Sequence, residues 1–94
     1  MTESFDFAAA RRLAIEIQSE LAELPHDNAK YRELRQELDE LNEMLAKEGA
    51  AHPDTPAQAR SVHGAMDRVA NELQADGIRA SAFIAELGRI LGLD

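Results

Sequence analysis

Four runs of apolar residues, each repeating at spacings of three and four, constrain this chain more than any other feature. That spacing returns side chains to one face of an α-helix, so each run predicts a helix with one buried face. Strand formers are scarce, and the three Phe and one Tyr leave the core to aliphatic side chains. The runs are Phe7, Ala10, Ala14, Ile17, Leu21 and Leu24; Tyr31, Leu34, Leu38, Leu41 and Leu45; Ala59, Val62, Met66, Val69 and Leu73; and Phe83, Ile84, Leu87, Ile90 and Leu91.

Capping residues stand where these helices should begin. Side chains that can accept from free N–H groups precede the first two runs: Ser4, Asp6, Asp27 and Asn28. Before the third run, Thr55, Pro56 and Gln58 occupy the positions of an N-cap, a first-turn proline and a capping-box glutamine. The sequence therefore predicts a capping box at the start of the third helix.

Helix-ending residues follow the runs. Pro25 cannot continue the first helix, and Gly49 can adopt the left-handed conformation after the second. Gly77 can end the third helix in the same way, with Ile78 folding back on Leu73 as in a Schellman motif.

Together these signals predict one all-α domain over residues 1–94, with helices near 5–24, 28–48, 56–76 and 79–91. The short link between helices 1 and 2 makes them an antiparallel hairpin. Helices 3 and 4 are expected to pack on this hairpin, giving a small four-helix arrangement. The narrow apolar seam of helix 2 suits a coiled-coil contact, so a homodimer is favoured.

The charge balance narrows the possible partners. Ten Lys and Arg against eighteen Asp and Glu give a net charge of −8, with no basic segment. This balance repels phosphate backbones and anionic headgroups, so neither nucleic-acid nor membrane binding is expected. No apolar run approaches the roughly 20 residues of a membrane span, and no secretory signal is evident, which favours a cytoplasmic location. The absence of cysteine excludes disulfides and thiolate metal sites.

Helix 4 carries a second stripe that contains only small residues. Its members are Ser81, Ala85, Gly88 and Gly92. Small side chains let another backbone approach closely, either within the chain or in a second copy. Together with Phe83 and Ile90, the stripe is a candidate interaction surface.

Helix 2 offers the alternative of a metal site. Glu37, Glu40 and Glu43 are spaced by three, and paired carboxylates on one helix can hold magnesium against a phosphate substrate. In outline this resembles the all-α nucleotide pyrophosphohydrolases, whose acidic helices present two such pairs. The resemblance covers only these positions, because the second pair, Glu72 and Asp76, is spaced by four. It implies a metal-dependent hydrolase of nucleotide-like substrates that uses these glutamates.

No nucleophile motif or phosphate-binding loop is present, and no cofactor is expected. The interpretation that the sequence favours is a non-enzymatic, acidic helical module that binds a partner protein as an adaptor, regulator or inhibitor, and that self-associates. The metal-dependent hydrolase is the alternative.

Overall fold

The computed structural model describes residues 6–24, 29–46 and 54–93, and in these ranges the secondary structure is helical without any strand. The helices are α1 (Phe7–Leu21), α2 (Arg32–Ala46), α3 (Thr55–Arg68), α4 (Ala70–Ala75) and α5 (Ala80–Leu91), and a 3-10 turn, Ala29–Tyr31, leads into α2. The predicted all-α class is confirmed. Some predicted boundary residues lie outside the described ranges: Ser4, Pro25, Asp27, Asn28 and Gly49.

The four longer helices pack in a ring in the order α1, α2, α3, α5 and back to α1. Gln18 of α1 donates to Asp39 of α2, whereas Arg35, earlier in α2, donates to the carbonyl of Leu21, later in α1. This reversal of order shows that α1 and α2 are antiparallel, as predicted.

The other neighbouring helices in the ring are antiparallel as well. The α2–α3 pairs are Glu37 with Gln58 and Glu33 with Arg68, and Arg79 at the start of α5 meets Glu20 near the end of α1. The chain therefore forms an up-down-up-down bundle, which confirms the predicted four-helix arrangement.

Every member of the four predicted apolar stripes is buried or half-buried in the bundle. Four large side chains show no exposed surface, and they come from three different elements: Tyr31, Val62, Met66 and Leu73. Full burial of an aliphatic side chain contributes about 1.5–3 kcal/mol each. The core is thus the shared interior of the ring.

Two of the predicted helix ends are confirmed. The carboxylate of Asp6 accepts from the Ala9 amide at 3.0 Å and caps α1. At the end of α4, Gly77 has a φ of +88° and its amide donates to the carbonyl three residues back. The Ile78 amide donates to the Leu73 carbonyl at 2.9 Å, and both side chains are buried, which completes the Schellman motif.

The predicted capping box at the start of α3 is wrong. The helix already includes Thr55, so the cap position falls on Asp54, whose side chain makes no capping hydrogen bond. Gln58 turns instead to α2, where its amide donates to both the carbonyl and the carboxylate of Glu37 at 2.8 Å. The hydroxyl of Thr55 is buried without a hydrogen-bond partner in the described part of the chain. Gln58 therefore bonds to Glu37 of the neighbouring helix and not to the start of its own helix.

The predicted third helix, 56–76, is not continuous. It breaks at Val69, whose φ of −117° and ψ of 23° lie outside the helical range. The Val69 amide bonds only weakly three residues back, to Met66 at 3.2 Å, and α4 then restarts. At the end of α4, Asp76 accepts from the hydroxyl of Tyr31 in the 3-10 turn at 2.6 Å.

Candidate binding groove

The glutamates of the predicted metal site are not brought together. Glu40 and Glu43 are exposed on α2, and Glu37 is held by the hydrogen bonds from α3. Glu72 lies on α4, close enough to Tyr31 to act on it electrostatically. Tyr31 is about 13 Å or more from Glu40 along the helix axis, so Glu72 lies at the other end of α2 from Glu40 and Glu43. Within the described residues, no group of three or more His, Asp or Glu side chains could hold a metal ion.

The small-residue stripe of the predicted fourth helix is divided between interior and surface. Gly88 is buried, and a Cβ added there would lie 3.4 Å from Nε2 of His63, so the His63 ring packs against it. Gly92 ends α5 with a φ of +75°. Ser81 and Ala85 are exposed. Gly88 therefore packs inside the bundle, where an added Cβ would just contact the His63 ring, and Gly92 forms the helix end.

The two larger members of the predicted surface also differ in position. Phe83 is only 2% exposed and belongs to the core, whereas Ile90 is half-buried and opens onto a groove. The groove has a volume of about 580 Å³ and lies where α1 and α3 begin and α5 ends. Leu13 of α1 and Leu91 of α5 join Ile90 in an apolar wall.

Three arginines from three helices line the polar side of this groove: Arg12 of α1, Arg60 of α3 and Arg89 of α5. All three side chains belong to exposed residues, and none forms an ion pair with a carboxylate of the described residues. Each guanidinium carries five N–H donors and no acceptor. As far as the described residues go, the groove therefore presents guanidinium donors without carboxylate partners beside an apolar surface.

Most carboxylates at the groove are already engaged. Asp6 caps α1, and Glu16 accepts from Arg79 at 2.8 Å, which leaves Glu86 as the one lining carboxylate without a partner in the described residues. The lining thus holds three arginines without carboxylate partners in the described residues and three carboxylates, two of which are engaged elsewhere, so its formal charges balance on a chain of net charge −8. The N-terminal, positive dipole ends of α1 and α3 lie at the groove, as does the C-terminal, negative end of α5.

Arg79 links α1 and α5, two of the three helices that line the groove. Its guanidinium donates to Glu20 at 2.7 Å and to Glu16 at 2.8 Å, and it lies 5.1 Å from the centre of the Phe83 ring. The hydrogen bonds that Arg79 donates to Glu20 and then to Glu16 raise the pKa of Arg79, so the link stays charged. It holds the start of α5 against α1.

A second hollow, of about 640 Å³, lies between α2 and α3. Its charged groups are largely satisfied, because Arg68 pairs with Glu33 at 2.9 Å and Gln58 donates to Glu37. Arg60 lies between this hollow and the groove and lines both. The groove is therefore the stronger candidate for binding.

The chain matches no protein-family model, and neither the curated proteins nor the solved structures compared with it include a match. Among the described helices, none has both the length and the apolar character needed to cross a membrane. The fold and the groove geometry therefore carry the functional argument.

Proposed function

We propose that this chain is a non-enzymatic interaction module that binds a segment of a partner protein in the groove between α1, α3 and α5. The observation that carries the proposal is the placing of Arg12, Arg60 and Arg89, without ion-pair partners in the described residues, beside the wall of Leu13 and Ile90. Binding sites are typically concave and apolar, with a few convergent polar groups that fix orientation.

The chemistry of the groove favours a peptide segment that carries both carboxylates and apolar side chains. Arginine guanidinium groups match carboxylates in bidentate geometry, and the apolar wall fits the aliphatic face of a helix or strand. A polyanion fits less well, because the net charge of −8 repels it outside the groove. An adaptor or regulator role, in the cytoplasm, remains part of this proposal.

The test is selection of binders from a displayed peptide library with the purified chain, followed by affinity measurement on groove variants. We expect enrichment of peptides with Asp or Glu near Leu, Ile or Phe. The double variant Arg60→Glu, Arg89→Glu should weaken these peptides by about tenfold or more, equivalent to about 1.4 kcal/mol. Arg32→Glu is the matched control, because Arg32 is exposed at the start of α2 and does not line the groove.

Three outcomes would contradict the proposal. The library could yield no enriched sequence, the selected peptides could bind the groove double variant as tightly as the wild type, or double-stranded DNA could bind more tightly than any peptide. Affinity should also fall as salt is added, since exposed charge pairs are screened beyond about 10 Å at 0.1 M ionic strength. An affinity independent of salt would mean that the arginines do not take part.

A further inference from the structure

The outward side of α1, away from the core, carries an exposed isoleucine. Ile15 is 51% exposed, and Leu93 is the only other large apolar side chain of the described residues with comparable exposure. Ala8 and Ala22 lie seven residues before and after Ile15 and are exposed as well. A spacing of seven is two helical turns, so the three side chains share one face, which we name the outer face of α1.

This outer face is symmetric about its centre. If two copies of α1 pack antiparallel about a two-fold axis at Ile15, Ile15 meets Ile15, and Ala8 of each copy meets Ala22 of the other. Small side chains at both ends let the two backbones approach closely around the isoleucine pair. A two-fold contact of this kind is self-complementary and closes at a dimer.

The charges along α1 favour the same orientation. Arg11 and Arg12 lie in its N-terminal half, while Glu16, Glu20 and Glu23 follow in and beyond its C-terminal half. No basic residue stands in the last turn, so this order does not serve the helix's own dipole. Antiparallel packing places the basic half of each copy beside the acidic half of the other, whereas parallel packing would place like charges together.

Neighbouring side chains leave the acidic half negative. Arg79 pairs with Glu16 and Glu20 but adds only one positive charge. Two charged side chains of α2 also lie beside this half and offset each other: Asp39 accepts from Gln18 at 2.8 Å, and Arg35 donates to the Leu21 carbonyl at 2.8 Å. Glu16, Glu20 and Glu23 therefore still outnumber the single charge of Arg79. Arg11 forms no ion pair with a carboxylate of the described residues. Its charge is available to the acidic half of another copy.

We propose that a second copy of this chain docks on the outer face of α1, antiparallel and with Ile15 at the two-fold axis. This inference goes beyond the proposed function, since the dimer contact is centred on Ile15 and leaves Arg60 and Arg89 of the groove open. Arg12 lies at the edge of both surfaces, so a dimer presents two grooves in which Arg60 and Arg89 stay accessible.

Light scattering of the purified chain at a concentration on the order of 100 μM tests the dimer directly. The wild type should have the mass of two chains, and Ile15→Asp should raise the dimer dissociation constant by about tenfold or more. Leu93→Asp is the matched control, because it places the same charge at the other exposed apolar side chain. A monomeric wild type, or an Ile15→Asp variant that dimerises as well as Leu93→Asp, would refute the proposal.

Cysteine cross-linking tests the orientation, and the absence of native cysteine makes it unambiguous. An oxidised mixture of Ala8→Cys and Ala22→Cys should give a mixed disulfide dimer, whereas either variant alone should give little. Efficient linking of Ala8→Cys to itself would show parallel packing and overturn the model of the contact.

A charge exchange gives a second, independent test. One copy carries Arg11→Glu and Arg12→Glu, so that both halves of its α1 are acidic, and the other carries Ser19→Arg and Glu23→Arg, so that its acidic half becomes basic. Each alone should dimerise about tenfold or more weakly than the wild type. Their mixture should form a heterodimer. Failure of the mixture to associate, with both copies folded by circular dichroism, would exclude the charge complementarity.

Discussion

Removing the Tyr31 hydroxyl should destabilise the bundle by a measurable and specific amount. The ring is fully buried, and the hydroxyl donates to the Asp76 carboxylate at 2.6 Å, tying the 3-10 turn before α2 to the end of α4. Tyr31→Phe keeps the ring and removes only this bond. Hydrogen bonds to charged groups contribute about 1.5–3 kcal/mol, and because Asp76 is exposed we expect the lower end, about 1.5 kcal/mol. For a domain of this size that lowers Tm by about 6–12 °C.

A double-mutant cycle isolates the bond from other effects. Tyr31→Phe, Asp76→Ala and the double variant are unfolded in urea and followed by far-ultraviolet circular dichroism, since the variants with Tyr31→Phe lack the chain's single tyrosine. The coupling between the two positions should be about 1.5 kcal/mol, so Asp76→Ala should cost little once Tyr31→Phe is present. A coupling free energy below about 0.5 kcal/mol would refute the reasoning, because couplings of that size are also measured between positions that do not interact.

The same contact makes stability depend on alkaline pH. Burial, and then the hydrogen bond to Asp76, raises the pKa of Tyr31 above its ordinary value of 10.0. The unfolded chain therefore releases this proton first, and the free energy of unfolding falls as pH rises above about 10, by at most about 1.4 kcal/mol per pH unit. Below that pH the contribution is complete. Phenolate absorbance of the single tyrosine should report the titration, and Tyr31→Phe should remove this part of the slope. Equal slopes in both proteins would contradict the assignment.

Three further substitutions test a positive φ, a helical glycine and a buried hydroxyl, each measured by urea unfolding. Gly77→Ala should lower the free energy of unfolding by about 1–2 kcal/mol because of the positive φ. Gly64→Ala within α3 should raise it by about 0.5–1 kcal/mol, since its Cβ would meet only Arg68 at 3.8 Å. Equal effects of the two substitutions would show that the φ value does not matter. Thr55→Val should stabilise the chain by about 1 kcal/mol, because it removes a buried hydroxyl without a partner in the described residues, and a loss of stability would mean that the hydroxyl is bonded.

The helical stripes were predictable because each depends on a pattern repeated over many residues. All five members of the second stripe, from Tyr31 to Leu45, are buried as expected. The Asp6 cap and the Gly77 ending were also predictable, since both motifs are closed by residues within five positions along the chain. Local chemistry alone decides such features.

The features that sequence reasoning missed depend on partners distant along the chain. Gln58 had the right position for a capping box, but the backbone and carboxylate of Glu37 on α2 offered it two hydrogen bonds. Val69 fits the three–four spacing of its apolar run, so the spacing does not predict that the backbone leaves the helical range at this residue. The position of Gln58 was therefore set by packing between helices.

The groove was missed for a similar reason. Arg12 precedes Glu16 by four residues, a spacing at which an ion pair is expected within a helix. In the structure Glu16 pairs with Arg79 of α5 instead. Arg60 and Arg89 join Arg12 only because the bundle brings the starts of α1 and α3 beside the end of α5. The antiparallel order of the helices was the one sequence signal that could have placed them together.

The order of the helices around the ring has a consequence for folding kinetics. The contacts of α1 with α2, α2 with α3 and α4 with α5 join elements that are consecutive along the chain, whereas the α1–α5 contact joins its two distant parts. Chains dominated by local contacts fold in microseconds to milliseconds. We therefore expect a fast-folding chain in which docking of α5 on α1, held by Arg79, is the late event that closes the ring.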